Sequence, residues 1–584
     1  MKYLSGIMIM LLLPTIAYSS ASNYDTSFNP EGIVAPVSTG VTTQAGTALF
    51  NLGIHQNLVS ESVAIQSDGK IVITGYNTNT FDIFVVRYLA NGLLDTIANG
   101  GSGFGDATPA DAPGYALFTD ITGIANSVAI DPLSGNIVIT GDALASNKLL
   151  VIRYLPNGTL DTSFNGSGST PTPGGLGWAI LNTQTGISNS GGSGVIVQPN
   201  SDILAVGSLA GTNGIVVASF IGSGANAGQL NTASFNTGDT PGYITAFSSI
   251  YSFGSAIGLQ SNGNIIITGE YLAPDESGQL IVLSYTPAGT LNTSFGPDLQ
   301  GYVALDVPNG SGGYALTIVN DIITVVGRAA DIDNIFTKII LARFLPNGSI
   351  DTSFNEVGYV LSTIDFSTEA TGPVTGYQCT GVGIQASGDI VICGIVTFQP
   401  TTSTAYGYVS RYNPNGSIDT TFTPDESGSI VFDVQGGTEN LAIAIQPDQK
   451  IVTTGFVADQ YFIPAIVRFL GVTSSQPTTA TSPIAAYGYN SAVVPEFLYV
   501  DSYAAVITNP TVQAAAIADV NDVIATYQTN YANQPNFNYI SYLYLMNADL
   551  AAAQAGLLAL YPASTSQINQ FFIYLQKRIN ILIA

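Results

Sequence analysis

The chain has 584 residues, enough for a large core and more than one domain, and 46% of them are hydrophobic while only 9% are charged. Its formal net charge is -26, with 13 Lys and Arg against 39 Asp and Glu. So few cations exclude a nucleic-acid partner or docking on anionic lipid, and the hydrophobic content excludes a disordered acidic tail.

The N-terminus reads MKYLSGIMIMLLLPTIAYSSASN. Lys2, the apolar run Ile7 to Leu13, and small residues at Ala17–Ser19 or Ser19–Ala21 predict a signal peptide over residues 1–21. The run is too short to span a bilayer, and no later segment is apolar for long enough. No cysteine follows it to carry a lipid. The expected destination is secreted, periplasmic or cell surface, with no transmembrane segment after the signal is removed.

Residues 22–471 repeat themselves. VAIQSDGKIVITG, closing at Gly75, returns in looser form closing at Gly141, Gly207, Gly269, Gly327, Gly394 and Gly455, at spacings of 66, 66, 62, 58, 67 and 61 residues. Alternating apolar residues, a Ser-Asp-Gly or Ser-Asn-Gly turn and a β-branched run make a hairpin. A further run such as Phe84–Leu89 follows, then a PNG turn, a DTSFN loop and a fourth strand such as 301–305. Four strands per repeat, copied seven times without intervening helices, predict an all-β seven-bladed propeller of four-stranded repeats.

The pattern IQxDGKIVxxG followed by VxRYxxNGxLDTSF, fullest at 63–96 and 128–165, resembles the delta-60 repeat β-propellers of secreted bacterial proteins. The resemblance covers about residues 24–471 and implies the propeller fold without an assigned activity. Departures are visible: Ser219 and Ser284 stand where other copies have arginine, and the fifth copy lacks the Asp-Gly turn.

Five of the seven arginines share one repeat position: Arg87, Arg153, Arg343, Arg411 and Arg468. Eight residues after the first four come Asp95, Asp161, Asp351 and Asp419. The two serine copies carry Asn231 and Asn292 in the matching loop, so both charges are lost together, as a paired contact requires. Ordinary turn chemistry is the alternative reason for aspartate there. Arg468 has no following aspartate, whereas the early segment NYDTSFN supplies Asp25 with no preceding arginine. The expectation is that the two ends meet and Asp25 completes the seventh pair.

Cys379 and Cys393 sit on one expected hairpin, not directly opposite. Either a disulfide or two isolated buried thiols is compatible with that, and two cysteines are too few for structural zinc. His55, the sole histidine, precedes the first hairpin without a nucleophile elbow and reads as loop surface. GGSGFG at 100–105 opens no helix and reads as a loop. Asp68, Asp202 and Asp448 read as turn residues, the NGT and NGS triplets as turn chemistry, and calcium at such oxygen-rich turns is the one cofactor the sequence admits.

The Thr/Ser/Pro-rich stretch 472–485 reads as a linker. Residues 486–584 then turn helical: Asn509-Pro510 starts a helix with Val512, Ala516 and Val520 on one face, a second is expected near 537–560, and a third follows Ser564, making a small all-α C-terminal bundle. Ile573, Tyr574, Ile581 and Ile583 on the last helix read as bundle core, or as a docking surface for a partner, whether the propeller itself, an envelope component or a second copy of the chain.

With structural residues repeated and catalytic groups missing, the sequence points to a secreted or envelope-associated scaffold binding a protein or glycan partner, and leans away from an enzyme. An extracellular polysaccharide hydrolase or lyase with acidic residues on the propeller's central face is the first alternative, and a surface-layer or adhesin component the second.

Overall fold

The computed structural model describes residues 24–471 except 33, 37–42, 53–56, 106–111, 167–173, 183–187, 211–213, 239, 248–249, 274–277, 308–309, 331–336, 363–373, 399–404, 435–436 and 459–460. Of the remainder it describes 507, 509–531, 550, 553–569 and 571–572. The signal segment, the 472–485 linker, His55 and the apolar residues 573–583 lie outside the described residues. Two compact units divide the chain, Met1–Ser474 and Ser475–Ala584.

The first unit is a seven-bladed β-propeller. Blade 1 consists of Leu58–Ile65, Ile71–Asn77, Ile83–Tyr88 and Tyr115–Phe118, hydrogen-bonded in that order. Blades 2 to 6 follow the same plan and begin at Gly123, Ser188, Ser252, Ser311 and Val374. Blade 2 adds the short strand Gly174–Gly175. Consecutive residues such as Ile71, Val72 and Ile73 are all buried, because neighbouring blades cover both faces of each sheet.

Blade 7 is built from both ends of this unit. Thr438–Ile445, Ile451–Ala458 and Phe462–Phe469 supply three strands, and Thr47–Asn51 supplies the fourth, with Thr47 opposite Val467 and Leu49 opposite Ala465. Val34–Pro36 then adds a parallel strand outside it. First strands of successive blades touch all the way round, Thr438–Ile445 against Leu58–Ile65 included. The ring is closed, and the first strands surround its axis.

Every first strand carries a β-bulge at one register, for example between Ser60 and Ser62, Ala125 and Ser127, and Asn440 and Ala442. The bulge explains the repeated closing glycine. It presses a carbonyl onto the second strand, so a Cβ at Gly75 would lie 1.8 Å from the Val59 oxygen and one at Gly455 1.8 Å from that of Glu439. Only glycine fits beneath it.

In the second unit, the helix Pro510–Tyr531 starts where the side chain of Asn509 accepts from the amides of Thr511 (3.0 Å) and Val512 (3.4 Å). Val512, Ala516 and Val520 form its buried face. Residues 553–560 and 565–569 are also helical, and Ile568, Phe571 and Phe572 are buried. Among the described residues no helix is long and apolar enough to cross a membrane.

Candidate functional site

The recurring arginine ends the third strand of its blade, where it meets the loop ahead. Nε of Arg87 lies 2.7 Å from Asp95 Oδ2, with 2.8 Å for Arg153–Asp161, 2.7 Å for Arg343–Asp351 and 2.6 Å for Arg411–Asp419. In blade 7, Nη2 of Arg468 lies 2.8 Å from Asp25 Oδ2, and Lys450 Nζ stands 3.0 Å from the same oxygen. Each guanidinium also covers the phenylalanine of the DTSF loop or its equivalent, at 4.4–4.7 Å from Phe104, Phe164, Phe354, Phe422 and Phe28.

These groups hold more than their own blade. Nη1 of Arg87 donates to the Pro156 carbonyl in blade 2, Arg153 to Gly222, Arg343 to Pro414, Arg411 to Gly471 and Arg468 to Ala90. The loop adds backbone bonds in the same direction, such as Asn29 N to Asn91 O (2.7 Å) and Asn355 N to Asn415 O (2.8 Å). The phenylalanine then rests on the glycine of the next PNG turn: a Cβ at Gly158, where φ is +88°, would lie 2.8 Å from Phe104. The repeated loop is therefore an inter-blade clasp. Arg87, Arg153, Arg411 and Arg468 are buried and Arg343 is largely covered, which fits them for holding blades together and not for meeting a ligand.

Blades 3 and 4 lack the clasp charges. Ser284 Oγ accepts from Asn292 Nδ2 at 3.1 Å, while Asn231 Nδ2 turns to Asp202 Oδ2 at 3.3 Å. Gln260 reaches the Pro346 carbonyl at 2.8 Å, taking over the arginine's contact, but its Oε1 is buried without a hydrogen-bond partner among the described residues. The equivalent Gln66 Oε1 accepts from Arg87 Nη1.

A second constellation lies where the bulges are. The residue after each closing glycine is Tyr76, Asp142, Ser208, Glu270, Arg328, Ile395 or Phe456, on the second strand opposite the approach to the bulge. Together with first-strand Glu61 and Glu439 they form one layer around the axis. Burial pushes the Glu61 carboxyl up to about 7, and nearby Glu439 adds like-charge repulsion. Burial likewise raises Asp142 to about 6 and Glu439 above its ordinary value. It raises the Tyr76 hydroxyl too, with Glu61 and Asp142 adding to the effect. Asn126 Nδ2 bonds the Gly192 carbonyl at 2.9 Å beside Asp142. Past the bulges the first strands turn aliphatic, with Ala64, Ile65, Ala129, Ile130, Ala444 and Ile445 half-buried. One end of the axis is polar and acidic, the other apolar.

Sequence reasoning missed this layer. Its signal was there: in near-identical repeats, one register changes chemistry from blade to blade.

Other candidates fall away from the axis or into the walls. Asp68 and Asp448 sit in hairpin turns against Lys70 (3.1 Å) and Lys450 (3.3 Å), and Asp202 accepts from Gly222 N. Cys379 and Cys393 are free and buried. Cys379 pairs in register with Gly394 and Cys393 with Gly381, so the thiols pack into cores on opposite sides of blade 6, and the disulfide alternative is not formed. Burial pushes the Cys379 thiol up to about 12 and raises that of Cys393 as well. A cavity of about 390 Å³ opens between blades 1 and 2 beside Gln66, Asp68, Lys70, Arg87 and Asn157, but its charged groups are already paired, Lys70 with Asp68 and Arg87 with Asp95. Among the described residues, no group of three or more His, Cys, Asp or Glu is placed to hold a metal ion.

No curated protein matches the chain. Solved structures of similar fold include a protein of unknown function from Dyadobacter fermentans (11% identity, TM-score 0.33, covering 74% of this chain and 100% of that one). A PL25 ulvan lyase bound to -[GlcA(1-4)Rha3S]- has 11% identity and a TM-score of 0.38, over 71% of this chain and 94% of that one. The β-propeller domain of the trilobed protease from Pyrococcus furiosus, described as having an open velcro topology, has 10% identity and a TM-score of 0.34, over 75% and 99%. Four segments, residues 66–96, 134–164, 323–354 and 385–422, match the family described as "Domain of unknown function (DUF5122) beta-propeller", and the chain is a repeat β-propeller similar to that family.

Proposed function

We propose that this protein is an exported binding scaffold, at the cell envelope or beyond it, whose propeller takes a glycan or protein ligand at the polar end of its axis. The observation that carries the reading is the contrast between two registers. The clasp keeps its arginine in five of the seven blades and shields the charge there, whereas the layer after the closing glycines differs in every blade and leaves Tyr76 and Asp142 half-buried and Arg328 exposed. A scaffold needs the first constant and is free to vary the second. The leader-like residues 1–21 support export.

Binding of the full chain to glycan and protein arrays tests this, followed by titration of any hit. Saturable binding that Tyr76→Ala weakens at least tenfold is expected. Binding unchanged by Tyr76→Ala and Glu439→Gln moves the site away from the axis and sinks the reading.

One observation favours a second reading, an extracellular polysaccharide hydrolase or lyase. Glu61 and Asp142 titrate near neutral pH, which suits carboxyl groups exchanging protons with a substrate. Turnover of a polysaccharide that Glu61→Gln abolishes would establish it.

A further inference from the structure

Arg328 stands apart from the other arginines among the described residues. It occupies the variable register of blade 5 and not the clasp. Its side chain is 47% exposed, against 4–17% for the five clasp arginines. Nη2 lies 3.4 Å from Glu270 Oε2, and the guanidinium carbon lies 5.8 Å from the ring centre of Tyr314 on the first strand of the same blade.

Glu270 is a built anchor. It holds the same register in blade 4, is only 8% exposed, and has room because residues 278 and 312 are glycines. A Cβ at Gly312 would lie 2.4 Å from Oε2, and one at Gly278 2.7 Å from Oε1. The carboxylate thus tethers one edge of the guanidinium. The remaining N–H donors of its fork have no protein partner among the described residues, and Tyr251, 51% exposed, stacks edge-on to Phe253 nearby.

A planar donor fork pairs two-pronged with a carboxylate or sulfate, and flanking tyrosine rings offer faces for the C–H surface of a sugar. Resting on the reading of the axial mouth as the ligand site, we infer that Arg328 is its anion-recognition residue and that the ligand is an acidic glycan. The net charge of -26 repels polyanions at long range, so the selectivity comes from this one contact.

The test titrates the full chain with a uronate-containing octasaccharide, with its carboxyl-reduced counterpart, and with a sulfated octasaccharide free of uronate. At least one acidic form is expected to bind tenfold or more tightly than the reduced form. Arg328→Ala should abolish that preference, and Arg328→Lys, which keeps the charge but not the fork, should retain part of it. Uronate and sulfate arms say which anion the fork takes. Equal binding of acidic and neutral forms, or a preference surviving Arg328→Ala, overturns this inference alone. No binding of any form also overturns this inference, while the wider reading, which admits a protein ligand, stands or falls on the array screen. Thermal melts matching the parent show that the half-exposed substitution leaves the fold intact.

Discussion

Replacing Asp25 by alanine tests how the ring is closed. Its Oδ1 accepts from Ser27 N (3.1 Å) and Ser27 Oγ (2.5 Å), and its Oδ2 faces Arg468 at 2.8 Å and Lys450 at 3.0 Å. Asp161 has nearly the same surroundings, with Ser163 N at 3.0 Å, Ser163 Oγ at 2.6 Å and Arg153 at 2.8 Å. Removing one member of a buried pair costs about 3–5 kcal/mol. Arg468 keeps Ala90 O, Gln446 Oε1 and the Phe28 ring, which places the loss near the low end, at about 3 kcal/mol. With roughly 450 residues unfolding at about 2.1 cal/mol/K each, Tm falls by about 3 °C. Calorimetry at pH 7 should therefore show Asp25→Ala and Asp161→Ala melting alike. The ion pair and hydrogen bonds outweigh burial and hold the Asp25 carboxyl below its ordinary 3.8, so its contribution is present above that value and lost as pH falls beneath it. The gap between parent and variant should close in acid. An Asp25→Ala protein melting with the parent at pH 7, while Asp161→Ala melts lower, refutes closure through this pair.

The remaining predictions use the same melts. Ser284→Arg with Asn292→Asp installs the missing clasp and gives Gln260 Oε1 a donor, so Tm should rise roughly 1–2 °C; Ser284→Arg alone buries an unpaired charge and should lower it. Glu61 has a folded pKa of about 7 against an ordinary 4.5, so its ionisation opposes folding as pH rises through that window. Glu61→Gln should accordingly melt above the parent at pH 8 and level with it at pH 4.5; a constant difference would contradict the assignment. Gly158→Ala forces a side chain into φ +88° against Phe104 and should cost about 1–3 kcal/mol, which chemical denaturation would measure.

Much of the architecture was legible because the chain writes it seven times. The hairpin, the PNG turn and the arginine register each recur, and a repeat turns weak local signals into a strong one. Asp25 stood out because it was a loop without its arginine. Two things were hidden. The reach of Arg87 to Pro156 is a contact between consecutive blades, and no spacing within one repeat encodes it. The acidic layer depends on the bulge, which moves Glu61 out of the strand's alternation, so an apolar-looking LVSESVAI segment carries a half-buried carboxyl. The cysteines show the reverse case, since proximity along a hairpin said nothing about which side of the sheet each thiol takes.

Completing the last sheet with Thr47–Asn51 has a kinetic consequence. Thr47 and Val467 must find each other across some four hundred intervening residues, so the final seam cannot zip until nearly the whole propeller has been synthesised. Until then it is the latch strand Thr47–Asn51, the portion of the polypeptide made first, that waits with a bare edge.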